Sequence, residues 1–298
     1  MRSSVRVAAG PGFRLDAVTC VDDHRGWSAA ELGDGHRVVL ARRGTFLRHA
    51  GGRSVVVDPA LAYLGLPDEE ERFAHPSGGD VCTSLSLSPG LWRTLAGDGP
   101  RLVRRTIYVD ARLDLAHRRV LAAARTGDAA FALTESLLPL VAAALSQLTD
   151  GATDPMTGPT GRDGTGGRAG AAGVVGAARE VIAADDPAAD GLLSLAALLE
   201  VSPYALSRAF TRELGVSLTH YRNRVRVGRA LDRLEGGETR LAELAAELGF
   251  ADQAHMTRTV RRHTGHTPAA LRRLLSPAPE PRDQLDFRPS RAISSPNA

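Results

Sequence analysis

Two sets of side chains in this 298-residue chain have the types and spacing to do chemistry. The first lies on two helical rows toward the C-terminal end: Tyr204, Ser207 and Arg208, then Gln253, Thr257 and Arg258, with Arg212, Arg261 and Arg262 beside them. Guanidinium, amide and hydroxyl groups read base edges, and the arginine fork also fits phosphate oxygens. The second set is His49, His75, Asp80 and Cys82. Imidazole and thiolate can ligate zinc or a similar metal, although no compact Cys-x-x-Cys or His-x-His spacing specifies a site. Two other readings stand beside that one. His75-Pro76 opens a turn that Asp80 caps, with Cys82 buried as a small hydrophobe. Or Cys82 is a thiol that senses oxidants or electrophiles, which requires a cation nearby to lower its pKa. The acidic run Asp68-Glu69-Glu70-Glu71 reads as a solvated loop.

The elements that carry the first set repeat. Leu195-Ala196-Ala197-Leu198-Leu199-Glu200-Val201 returns as Leu244-Ala245-Ala246-Glu247-Leu248-Gly249-Phe250. One extra residue, Ala251, then shifts the offset, so that Ser202 matches Asp252, Arg208 matches Arg258 and Gly215 matches Gly265. Each unit predicts a short helix, a turn and a second helix. Ser202 is an N-cap with Pro203 at the first helical position, and Asp252 is the N-cap of the second copy. Leu206 with Phe210, and Met256 with Val260, sit four apart and point inward. Gly215 and Gly265 supply the left-handed stop. Residues 217–235 form one long helix between the units, with Leu218, Tyr221, Val225, Gly228, Leu231 and Leu234 inward and Arg222, Arg224, Arg226, Arg229 and Arg233 close together. A helix held beyond its partner fits a major groove, and a rigid connector could set two readers one helical turn apart on double-stranded DNA.

These segments, LAALLEVSPYALSRAFTRELGVSLTHYRNRVRVGRAL and LAELAAELGFADQAHMTRTVRRHTGHTPAALRR, resemble the AraC/XylS family of bacterial transcription regulators across roughly residues 175–275. The resemblance implies base readout by Tyr204, Ser207, Arg208, Gln253, Thr257 and Arg258, and phosphate contacts by Arg212, Arg261 and Arg262. The family often has Phe where this chain has Met256 and Val260, which implies looser packing in the second unit. It also implies a cupin-like sensor and a dimerisation helix ahead of the DNA domain, a small-molecule effector, and RNA polymerase as a further partner.

The expected fold class is α+β. Residues 1–110 form a β-rich, cupin-like barrel, with short strands such as Arg37–Leu40 and Ser54–Val57 between Gly, Asp and Pro turns. Residues 111–149 form a helical pair that either packs back on the barrel or makes a homodimer surface. Residues 150–172, dominated by Gly, Thr, Pro and Asp, read as a flexible linker. The double helix-turn-helix domain spans 173–275, and 276–298 read as a disordered tail.

Composition narrows the function classes. All 37 basic residues are arginine, and the net charge is +3. The even spread of arginine fits a coding bias; the charge leans mildly toward anionic partners. No run of about 18 apolar residues and no secretion signal is visible, and two cysteines make no disulfide scaffold, so a cytoplasmic protein with no membrane partner is expected. No phosphate loop, nucleophile elbow or His-Glu-x-x-His occurs. No enzyme, cofactor or metal is therefore expected. The alternatives are a metal-dependent cupin enzyme fused to a DNA module, and an adaptor whose helix-turn-helix units no longer bind DNA.

Overall fold

The computed structural model describes residues 2–21, 25–125, 131–149 and 165–275. The expected tail and most of the expected linker lie outside them. The N-terminal half is built from ten strands: β1 (Arg2–Gly10), β2 (Phe13–Cys20), β3 (Glu31–Leu32), β4 (His36–Arg43), β5 (Phe46–Ala50), β6 (Arg53–Val57), β7 (Leu61–Gly65), β8 (Glu70–Ala74), β9 (Asp80–Leu87) and β10 (Thr106–Tyr108). They make two antiparallel sheets, ordered β1-β2-β9-β4-β7-β10 and β3-β8-β5-β6. The residues of β1 are mostly exposed and show little apolar alternation.

The larger sheet is two-faced, which explains its nearly continuous apolar runs. In β4, Val38 and Leu40 belong to one core cluster, while Val39 and Ala41 belong to another. The first cluster lies under the helices; the second fills the space between the sheets with Phe46, Tyr63 and Cys82. The period of two places successive side chains on opposite faces, and here both faces are covered.

Three helices follow: α1 (Pro89–Ala96), α2 (Ala111–Arg125) and α3 (Ala132–Thr149). The helical pair packs back on the barrel. Leu133, Leu137, Leu140, Val141, Ala144, Leu145 and Leu148 of α3 join Leu15, Leu64 and Leu85 of the sheet in a single cluster. By length and composition α3 could cross a membrane. Its leucine face is instead part of the core. Phe131, just ahead of α3, is 81% exposed.

The remaining helices are α4 (Thr165–Ala183), α5 (Leu192–Leu198), α6 (Pro203–Leu214), α7 (Leu218–Glu235), α8 (Leu241–Glu247), α9 (Gln253–Thr264) and α10 (Pro268–Leu275). α4 begins inside the segment expected to be a linker, at Thr165. Glycine-rich composition concealed it; the helix is anchored further on, where Val175, Ala178, Arg179 and Ile182 are buried at helical spacing. The first helix-turn-helix unit packs with α4 and with Ala60 of the barrel. The second packs with Ala111 and Leu115 of α2. One helix therefore serves two cores: Leu113, Val120 and Leu121 face the barrel, and Ala111 and Leu115 face α7 and α9.

Candidate nucleic-acid interface and sensor cavity

The two units superimpose in their local chemistry. Ser202 Oγ accepts from the Ala205 N–H at 3.1 Å, and Asp252 Oδ1 accepts from the His255 N–H at 2.6 Å. Gly215 (φ 72°) and Gly265 (φ 82°) close the second helices in the left-handed conformation. Leu206, Phe210, Met256 and Val260 are all 0% exposed. The Met256–Val260 pair is as fully shielded from solvent as its counterpart.

The turns also correspond. Glu200 (φ 54°) and Gly249 (φ 68°) occupy the same position of the repeat, and both are left-handed. A Cβ on Gly249 would stand 2.8 Å from the Arg226 guanidinium, the far end of a flexible side chain that would have to shift; the left-handed backbone favours glycine there, although Glu200 adopts it in the first unit.

This packing leaves one face of each second helix bare. Tyr204, Arg208 and Arg212 are exposed on α6, with Ser207 half-buried. Gln253, Arg258, Arg261 and Arg262 are exposed on α9, with Thr257 half-buried. Arg208 Nη1 donates to the Tyr204 hydroxyl at 3.3 Å, and its guanidinium lies 5.4 Å from the ring centroid. That stacking pre-orders a planar fork toward solvent. Arg224 departs from the expected arginine cluster on α7: it is 1% exposed and points into the barrel junction. α7 turns this flank toward the barrel, a placement that helical spacing alone does not reveal.

A double unit of this kind, with caps, stops and turns in register, is matched over residues 195–274 by the family model described as a helix-turn-helix domain. The C-terminal domain is of the AraC type. This AraC-type domain is 32% identical over 68 residues to the transcriptional activator RhaR of Yersinia pseudotuberculosis, spanning 23% of each chain. It is 33% identical over 80 residues to the transcriptional regulator RipA of Corynebacterium diphtheriae, spanning 27% of this chain and 24% of that one. The chain thus spans about a quarter of the length of the curated relatives it matches. Among solved structures, fatty-acid-bound ToxT from Vibrio cholerae is similar over 91% of this chain and 99% of its own, at 9% identity and a TM-score of 0.36.

Ahead of the AraC-type domain, the barrel holds a partly open cavity of about 260 Å³ between its sheets. Its wall includes Arg14, Asp16, Val39, Tyr63, Ser84 and Ser86, and at one end Cys20, His75, Asp80 and Cys82. Three of the four sequence-derived sensor residues therefore meet. His49 does not join them: it lies on β5 beside Trp27 and its Nδ1 is 3.0 Å from Ser54 Oγ. Cys20 takes its place. Strand register is the signal that would have found it, since Cys20 pairs with Asp80, and Cys82 is two residues on. Directly paired residues and those two apart share a face.

Asp80 does not cap the turn as expected. One carboxylate oxygen is 2.9 Å from His75 Nε2, and the other accepts from the Cys82 thiol at 2.8 Å. Burial, then the charge of Asp80, push the Cys82 thiol up and raise Cys20 to about 11. Both shifts favour the protonated thiols, the opposite of what a thiolate sensor at Cys82 requires. The acidic run is also more than a solvated loop. Glu71 is 0% exposed and pairs with Arg37 and with Arg48, whose Nη2 lies 2.6 Å from it and 2.7 Å from Glu69. Arg48 in turn sits 4.4 Å over the ring of Tyr63, which lines the cavity.

Proposed function

We propose that the chain is a sequence-specific transcription regulator that reads double-stranded DNA through α6 and α9 and responds to a small molecule held in the barrel cavity. The observation that carries this reading is the paired exposure of Arg208 and Arg258 at equivalent positions of two capped, fully packed helix-turn-helix units. Tyr204, Ser207, Arg208, Gln253, Thr257 and Arg258 are the base readers; Arg212, Arg261 and Arg262 meet phosphates. A mixed polar and apolar cavity inside the barrel suits an effector of small size. On the other face of the larger sheet lies α2, which also packs on the DNA domain. The chain acts as a regulator and not as an enzyme.

The test is selection of bound DNA from a random pool at stated salt. The expected product is a site with two readable segments about 34 Å apart, one helical turn. Uniform weak binding with no recovered site would favour an adaptor and overturn the reading.

A further inference from the structure

We propose that Cys20, His75 and Asp80 form a three-donor site for a divalent transition cation of the zinc class at one end of the barrel cavity, with its fourth position open to the effector. This rests on the reading of the barrel as the sensor. Cys20 Sγ, a His75 ring nitrogen and an Asp80 carboxylate oxygen all lie within 4.8 Å of one another. Donors at tetrahedral zinc distances stand roughly 3.3–3.8 Å apart, so closure needs only small rotamer shifts. One sulfur, one imidazole and one carboxylate suit a borderline cation and do not suit calcium or magnesium.

The backbone presents the set from both sheets. Cys20 on β2 and Asp80 on β9 are direct cross-strand partners in the larger sheet. His75 follows β8 of the smaller sheet and closes over them. Asp80 and His75 are 4% and 6% exposed, so their polar atoms converge in a dry pocket end. Cys82 acts as a positioning residue: its thiol donates to the Asp80 oxygen that does not face His75. Partners of that outer kind orient ligands and affect metal affinity tenfold to a hundredfold. On binding, the Cys20 thiol releases its proton to solvent as the sulfur–metal bond forms. Three protein donors leave one position, and the cavity is the space it faces.

The experiment is titration of the reduced, chelator-treated full chain with Co²⁺. One ion per chain is expected, with a thiolate-to-cobalt charge-transfer band, strong visible bands, and displacement by Zn²⁺. Imidazole added as an external donor should shift the visible bands. Cys20→Ser should abolish the charge-transfer band, Asp80→Asn should weaken binding at least tenfold, and His49→Ala should change nothing. The proposal is overturned by absence of stoichiometric binding in the parent chain, or by a charge-transfer band that survives Cys20→Ser while circular dichroism shows that variant folded. A spectrum that imidazole leaves unmoved overturns the open position. Because DNA selection needs no cobalt, a failed titration with a recovered operator removes the metal site alone. A normal titration with no operator removes the regulator reading alone.

Discussion

Arg224 of α7 and Asp114 of α2 form a 3.0 Å ion pair that joins the AraC-type domain to the barrel's helical pair. Arg224 also donates to the backbone oxygens of Val109 at 2.6 Å and Pro59 at 3.1 Å. Arg118 approaches the other Asp114 oxygen at 2.9 Å and reaches Asp232 and Glu235 of α7, both at 2.8 Å. Burial acts to raise Asp114, but Arg224 and Arg118 outweigh it and hold the carboxyl below its ordinary range. A second link lies alongside: Asp58 Oδ2 meets Arg179 of α4 at 2.6 Å and accepts from the Tyr221 hydroxyl at 2.8 Å.

The first prediction concerns that pair. Asp114→Asn leaves Arg224 with carbonyls only, and should cost about 3–5 kcal/mol, the usual loss when a buried pair is broken. Arg224→Met should cost less, because Asp114 keeps Arg118. Asp114→Leu combined with Arg224→Met should recover most of the loss. Urea denaturation of the three variants checks this; equal costs for the two single changes would contradict the asymmetry.

DNA binding separates the two arginine roles. Arg208→Ala should cost about 1–3 kcal/mol at one base pair and relax selectivity there. Arg212→Ala should weaken all sequences alike and lower the salt slope by about 1. Competition binding against single-base operator variants at several salt concentrations measures both. Unchanged affinity in both variants would show that α6 does not face DNA.

Glu200 and Gly249 offer a reciprocal test of the turns. A left-handed non-glycine residue costs roughly 1–2 kcal/mol, against about 0.5–1 kcal/mol for glycine's extra chain entropy. Glu200→Gly should therefore stabilise the first unit by about 0.5–1 kcal/mol. Gly249→Glu should destabilise the second by a similar amount, the Arg226 guanidinium shifting away from the new Cβ. Thermal melts that move the opposite way would rule out turn strain as the governing factor.

His117 gives a pH dependence. It is 3% exposed, and burial lowers it from 6.5 to about 3; Asp114 opposes that shift, while Arg42 and Arg118 add to it. The folded pKa lies below the unfolded one, so the unfolded chain binds the extra proton. The stability from neutral His117 is complete above pH 6.5 and is lost as pH falls toward 3, by about 1.4 kcal/mol per pH unit inside that window. His117→Gln should flatten the pH profile of the urea midpoint by that one proton between pH 6 and 4. Parallel profiles for the two proteins would contradict the assignment.

Local chemistry made the DNA-binding half legible. Ser202, Asp252, Gly215 and Gly265 act through neighbours within a few residues, so their types alone mark the helix ends. The cavity was less legible. Cys20 and Asp80 are sixty positions apart and meet only through strand register, and His49 matched its neighbours in type while belonging to another part of the smaller sheet. Arg224 looked like one more surface cation, because the chain alone does not say which flank of α7 a barrel will cover. The helix from Thr165 was hidden by glycines whose low propensity tertiary packing overrides.

In β4, Val39 touches the cavity while Val38 and Leu40 touch the helices. One sheet therefore separates the cavity from the helices that contact the AraC-type domain. A guest that pushes Val39 by a fraction of an ångström has no soft layer to absorb the motion, since close-packed interiors transmit strain. Under the proposed function, the path open to such a displacement is the cluster on which α2 rests, and from there α7.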